Sequence, residues 1–108
     1  MQNREIANNF KRLVFNNYLT NKSVSFYAKE LKTTSTMLNK QVQMVFNKSP
    51  KEFINEVILL HAQTILKNPN SSVKEVCYDL NFDDYSHFVK FFKKMTGMSP
   101  AEYKKQTN

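Results

Sequence analysis

The sequence predicts an all-α fold, with seven helices arranged as two helix-turn-helix subdomains joined by a long linker helix. Three observations predict it. Apolar residues recur at spacings of three and four along the chain, and the strict alternation that would mark strands is nearly absent. Three hydroxyl–carboxylate pairs, Ser49 with Glu52, Ser72 with Glu75 and Ser99 with Glu102, have the spacing of capping boxes, which satisfy the first amides of a helix. One basic helical unit is also written twice, between Val24 and Phe53 and again between Val73 and Tyr103.

The repeat has a definite register. Val24, Ala28 and Leu31 fall 49 positions before Val73, Cys77 and Leu80. Beyond that the offset is 50: Leu38 answers Phe88, Lys40 answers Lys90, Val42 answers Phe92, Asn47 answers Gly97, and Ser49-Pro50 answers Ser99-Pro100. One extra residue near Asp83 and Asp84 therefore lengthens the second turn. Two copies are too few for a solenoid and indicate paired subdomains in a single domain over 1–108.

The elements follow in order. From Arg4 to Leu19, Ile6, Phe10, Leu13, Val14 and Tyr18 make one apolar face. Ser23 is placed to cap a second helix carrying Val24, Tyr27, Ala28 and Leu31, and Thr34 a third from Ser35 to Phe46. The first helix-turn-helix thus spans about 23–46. Pro50, at a first helical position where its missing N–H costs nothing, opens a linker helix of about 50–67, closed by Asn68-Pro69-Asn70. Short helices from Val73 to Leu80 and Asp84 to Met95 make the second helix-turn-helix, about 73–96, and Pro100 to Lys105 a last one. The single glycine, Gly97, stands where a left-handed helix stop is needed, and Asn47, the next-best residue there, stands at the matching place.

Composition excludes several function classes. The lone cysteine, Cys77, forms no internal disulfide and matches Ala28 as a small core residue; no Cys/His set has zinc-ligand spacing. Neither a glycine-rich phosphate loop, a Ser/His/Asp set nor a paired-carboxylate cleft is visible, so the protein is not expected to be an enzyme or to hold a cofactor or metal, and no catalytic residue is assigned. The longest unbroken apolar run is Val57 to Leu60, far short of a membrane span, and the chain's start lacks the apolar core of a signal peptide. A cytoplasmic protein without membrane association is expected. Sixteen Lys and Arg against nine Asp and Glu give a net charge of +7, which attracts polyanions.

Position narrows that partner. In the first unit Leu38, Val42 and Val45 make an inward stripe, leaving Ser35, Thr36, Asn39, Lys40 and Gln43 on the opposite face. In the second, Phe88, Phe92 and Met95 face inward, while Tyr85, Ser86, Val89, Lys90 and Lys93 face out. Neither outer face carries an acid. Such side chains suit a DNA major groove, where Asn and Gln pair with adenine edges, Lys with guanine, and small side chains meet thymine methyls.

From about Phe10 to Lys104, and most specifically in FDDYSHFVKFFKKMTGMSPAEY from Phe82, the chain resembles the DNA-binding domain of the AraC/XylS family of bacterial transcription regulators. The resemblance implies that the third and sixth helices are recognition helices entering successive major grooves of double-stranded DNA. Carried over by position, Ser35, Thr36, Asn39, Lys40 and Gln43 serve the first site, and Tyr85, Ser86, His87 and Lys90 the second, with Lys93 on a phosphate. Lys32 and Asn81 occupy turn positions where members often have glycine, so a strained left-handed lysine is expected. RNA polymerase is a further partner, and a monomer is expected because the apolar stripes pack internally. Members commonly carry a sensory or receiver domain ahead of this one, so the resemblance implies the output end of a larger regulator, including a response regulator, or a short stand-alone activator. The rival reading is a protein-interaction module that touches RNA polymerase or a partner regulator and binds DNA weakly.

Overall fold

A computed structural model describes residues 2–107, so Met1 and Asn108, the ends of the expected 1–108 span, lie outside the described residues. The described residues form seven helices, in chain order α1 (Gln2–Asn17), α2 (Val24–Glu30), α3 (Ser35–Phe46), α4 (Pro50–Leu66), α5 (Val73–Asp79), α6 (Tyr85–Thr96) and α7 (Pro100–Thr107). The repeat is visible in the lengths: α2 and α5 have 7 residues each, α3 and α6 have 12 each. The chain divides into two compact units, Met1–Val57 and Ile58–Asn108, and α4 gives its first half to one and its second half to the other.

In the first unit α1 packs chiefly on α3, with α2 against both. Ala7, Phe10 and Val14 from α1, Tyr27 and Ala28 from α2, Leu38 and Val42 from α3 and Ile54 from α4 are buried. Phe10 meets Tyr27 edge-on at 5.6 Å between ring centroids, and Phe53 at 5.5 Å. The buried Tyr27 hydroxyl donates to the Asn21 carbonyl at 2.6 Å, which satisfies it inside an apolar core. In the second unit the core is Ile58, Ala62, Leu66, Val76, Cys77, Leu80, Phe88 and Phe92, with Tyr103 of α7 edge-on to Phe92 at 5.4 Å. Ile58, midway along α4, is 2% exposed and belongs to this core.

Both turns end the preceding short helix in the same way. The Lys32 amide donates to the Lys29 carbonyl at 3.1 Å and the Thr33 amide to Ala28 at 2.9 Å. In the second unit Asn81 donates to Tyr78 at 3.0 Å and Phe82 to Cys77 at 3.2 Å. These paired bonds are a Schellman stop, which needs a left-handed residue just past the helix. Lys32 supplies it at φ 58° and Asn81 at φ 60°, as the resemblance implied. The α3 and α6 ends use Asn47 at φ 59° and Gly97 at φ 84°. The second turn is one residue longer than the first, which accounts for the change of offset from 49 to 50.

Seven helix ends differ from expectation by one or two residues, and other details differ in kind. α6 starts at Tyr85, because Asp84 is its cap and accepts the His87 amide at 2.7 Å. Ser23 occupies the cap position of α2 in extended backbone, yet its hydroxyl pairs with that of Ser25 at 2.7 Å and caps no amide. α1 stops at Asn17, short of Leu19: the Asn17 side chain donates to the Leu13 carbonyl and its own carbonyl takes the Thr20 and Asn21 amides, turning the chain. Val45 and Met95, expected inside, are half-buried, as is Val89, expected outside. Gln41, a polar residue on the inward side of α3, is 5% exposed, which its side-chain type gave no reason to expect.

Candidate nucleic-acid interface

Each unit presents one face with the composition of a groove reader. On α3, Leu38 and Val42 are fully buried, and that four-residue step turns Ser35, Thr36, Asn39, Lys40 and Gln43 outward, where all five are exposed. Thr36, Lys40 and Gln43 follow one another at spacings of four and three, with Asn39 beside them, so they line one strip of the helix surface. On α6 the buried pair is Phe88 and Phe92. Opposite them Tyr85, Ser86, His87, Lys90 and Lys93 are all exposed. No Asp or Glu lies within either helix.

The two helix starts differ electrostatically. α3 is capped by the neutral Thr34 hydroxyl, which accepts the Met37 amide at 3.0 Å, so the partial positive charge of the helix N-terminus stays open to an anion. α6 is capped by a carboxylate, Asp84, with Asp83 beside it, and that charge offsets the same dipole. α6 compensates with Lys90, Lys93 and Lys94, where α3 has Lys40 alone.

His87 lies on the exposed face and its ring meets Phe82 edge-on at 5.4 Å. Phe82 itself, half-buried, gathers Phe88 and Phe91 at 5.1 and 5.3 Å and fixes the start of α6. The Phe88, Phe91 and Phe92 run is therefore core and its margin, as an inward stripe requires. Met37 is a residue the composition reading passed over. It answers His87 at an offset of 50, stands in the first turn of α3 and is 43% exposed; the repeat register was the signal that could have found it.

Among the described residues no group of three or more His, Cys, Asp and Glu is placed to hold a metal ion, and no helix is long and apolar enough to cross a membrane.

A family model described as a helix-turn-helix domain matches residues 27–106. The Msm operon regulatory protein of Streptococcus mutans is 31% identical over 100 residues, which is 93% of this chain. The chain spans about a third of that relative's length, 36%. Among solved structures, the C-terminal domain of AraT, a response regulator from Geobacillus stearothermophilus, superposes with a TM-score of 0.84 at 16% identity over 94% of this chain and 84% of that one. The DNA-binding domain of AdpA, a global transcriptional factor solved in complex with a target DNA, superposes with a TM-score of 0.81 at 18% identity over 93% of this chain and 90% of that one. At those identities the superpositions establish the fold.

Proposed function

The chain belongs to the AraC-type helix-turn-helix family, and from that premise we propose that it binds double-stranded DNA sequence-specifically and regulates bacterial transcription. In this reading 1–108 acts as one DNA-binding domain whose recognition helices, α3 and α6, enter successive major grooves. One observation carries it: in each unit a twelve-residue helix buries an apolar stripe and turns outward a strip that is hydrogen-bonding, basic and free of carboxylates. Asn39 and Gln43 are suited to adenine edges, Lys40 and Lys90 to guanine edges or phosphate, and Ser35, Thr36, Tyr85, Ser86 and His87 to bases or backbone at the helix starts. Lys93, last on its strip, serves a phosphate.

The role is binding rather than catalysis, in a cytoplasmic protein, with RNA polymerase as the second partner. A relative of whose length this chain spans about a third, 36%, supports the further proposal that it is the output part of a larger regulator. A monomer follows from the cores each unit completes for itself; the large exposed apolar side chains are scattered over five helices.

The test is a DNA titration at several salt concentrations with wild-type, Lys40→Ala and Lys90→Ala proteins. Affinity falls by about 0.9 log units per log unit of salt for each phosphate neutralised. Each variant is expected to bind several-fold more weakly than wild type. Salt-insensitive binding, or affinity unchanged in both variants, favours the interaction-module reading.

A further inference from the structure

Gln41 is the anomaly of α3. It is 95% buried, its Oε1 has no hydrogen-bond partner among the described residues, and its Nε2 donates to the Met37 sulfur at 3.2 Å. A carboxamide in this position is unfavourable: an unpaired buried carbonyl is costly, and leucine or methionine would fill the site without it. What the amide does provide is a donor that fixes a thioether four residues earlier, on the next turn of the helix.

Met37 is therefore held at both ends of its residue. Its amide donates to the Thr34 hydroxyl and its sulfur is tied to Gln41, yet it remains 43% exposed. By helical spacing it lies 60° round the axis from Lys40, on the border between the outward strip and the core, in the first turn of the helix. The second unit repeats the arrangement with other chemistry. There His87 takes the place of Met37 and is buttressed edge-on by Phe82, while Phe91, at the Gln41 position, packs on the same Phe82. Both units thus immobilise the third residue of the exposed helix.

We infer that Met37 is a specificity-determining residue of the first unit, placing its terminal methyl against the 5-methyl group of a thymine, and that Gln41 is the positioning residue that holds it there. The inference rests on the DNA-binding reading proposed above. Thymine is the base of choice because its methyl is the apolar feature that the major groove offers, and an ordered, polarizable thioether is complementary to it. A lysine or arginine at this position would seek phosphate or guanine; methionine cannot.

The experiment uses duplexes carrying the sequence that the wild-type chain selects from a random pool. Each thymine is replaced singly by deoxyuridine, which removes the 5-methyl and leaves the hydrogen-bonding edge intact. Wild type is expected to lose about fourfold in affinity at one position, the effect of one buried methyl-sized group. In Met37→Ala the thymine-to-uridine ratio at that position falls to near one and ratios elsewhere are unchanged. Gln41→Leu also lowers the ratio at that position while its melting temperature rises, which a merely structural role for Gln41 would not produce. An undiminished ratio in Met37→Ala, or no methyl-sensitive thymine in wild type, overturns the inference and leaves the DNA reading standing. A ratio unchanged in Gln41→Leu overturns the positioning role. Failure of wild type to select any sequence overturns both the inference and the reading beneath it.

Discussion

Tyr27 brings a hydroxyl into the core of the first unit, and burial pushes its pKa up from 10.0 to about 12. A raised folded pKa means that the protonated form is the one the fold holds. Its contribution is complete below pH 10 and is lost as pH rises from 10 toward 12. Tyr27→Phe is expected to remove that alkaline decline and, by leaving the Asn21 carbonyl without its donor, to cost about 1 kcal/mol at neutral pH; urea unfolding from pH 8 to 11.5 measures both. Lys32 presents the opposite case, a side chain whose backbone would favour glycine. At φ 58° Lys32→Gly is expected to stabilise the chain by about 0.5 to 1 kcal/mol, the left-handed strain relieved less the entropy glycine gains when unfolded. A higher urea midpoint at unchanged slope would bear this out, and a lower one would contradict it. These two residues show what side-chain type reveals. Gly97 and Asn47 announce a left-handed stop through their own chemistry. Lys32 does not, and only its correspondence to Asn81 in the repeat, with the family resemblance of that turn, exposes it. Gln41 gave no signal, because a polar residue within an amphipathic helix reads as solvated unless its register is fixed independently.

Helix boundaries are governed by caps, and where a cap combines two residues it was legible. Ser49 with Glu52, Ser72 with Glu75 and Ser99 with Glu102 all form reciprocal bonds, with the serine hydroxyl accepting the glutamate amide and the carboxylate accepting the serine amide, at 2.8 to 3.1 Å. The single-residue cap Ser23 failed because its hydroxyl had a competing neighbour in Ser25. Asp84 was read as helix and proved to be the cap, since a carboxylate at a helix start fits either description. Hydrogen bonds from the Ser49 and Ser99 backbone and side chains hold the Glu52 and Glu102 carboxyls below their ordinary 4.5. A depressed folded pKa contributes stability above pH 4.5 that disappears as pH falls through the lower folded value. Glu52→Gln with Glu102→Gln is therefore expected to flatten the decline in melting temperature between pH 5 and 3; an unaltered acid limb would contradict the role given to these bonds. Ser72→Ala, which removes the α5 cap outright, is expected to cost about 1 kcal/mol.

At the scale of the whole chain, charge and pattern are unevenly divided. The first unit holds nine Lys and Arg against four acids, and the second seven against five, with Asp79, Asp83 and Asp84 close to the start of α6. General attraction for a polyanion therefore resides more in the first unit, although its exposed helix face has a single lysine. Much of this organisation was legible in the sequence, because a repeat supplies two readings of one unit: the helix lengths agree between copies, the shift of offset locates the extra turn residue, and exposed Ser35, Thr36, Lys40 and Gln43 answer exposed Tyr85, Ser86, Lys90 and Lys93. Met37 and Gln41 were missed where the copies diverge, since His87 and Phe91 replace them and the shared geometry is hidden by different chemistry. The central claim is that α3 and α6 each read their own stretch of DNA. It is tested most directly by selecting bound duplexes from a random pool with wild type, with Thr36, Asn39 and Lys40 changed together to Ala, and with Tyr85, Ser86 and Lys90 changed together to Ala. Wild type is expected to enrich two short motifs about one helical turn, roughly 34 Å, apart, and each triple variant to lose one motif and keep the other. A single motif that survives both variants, or no enriched sequence at all, would contradict it.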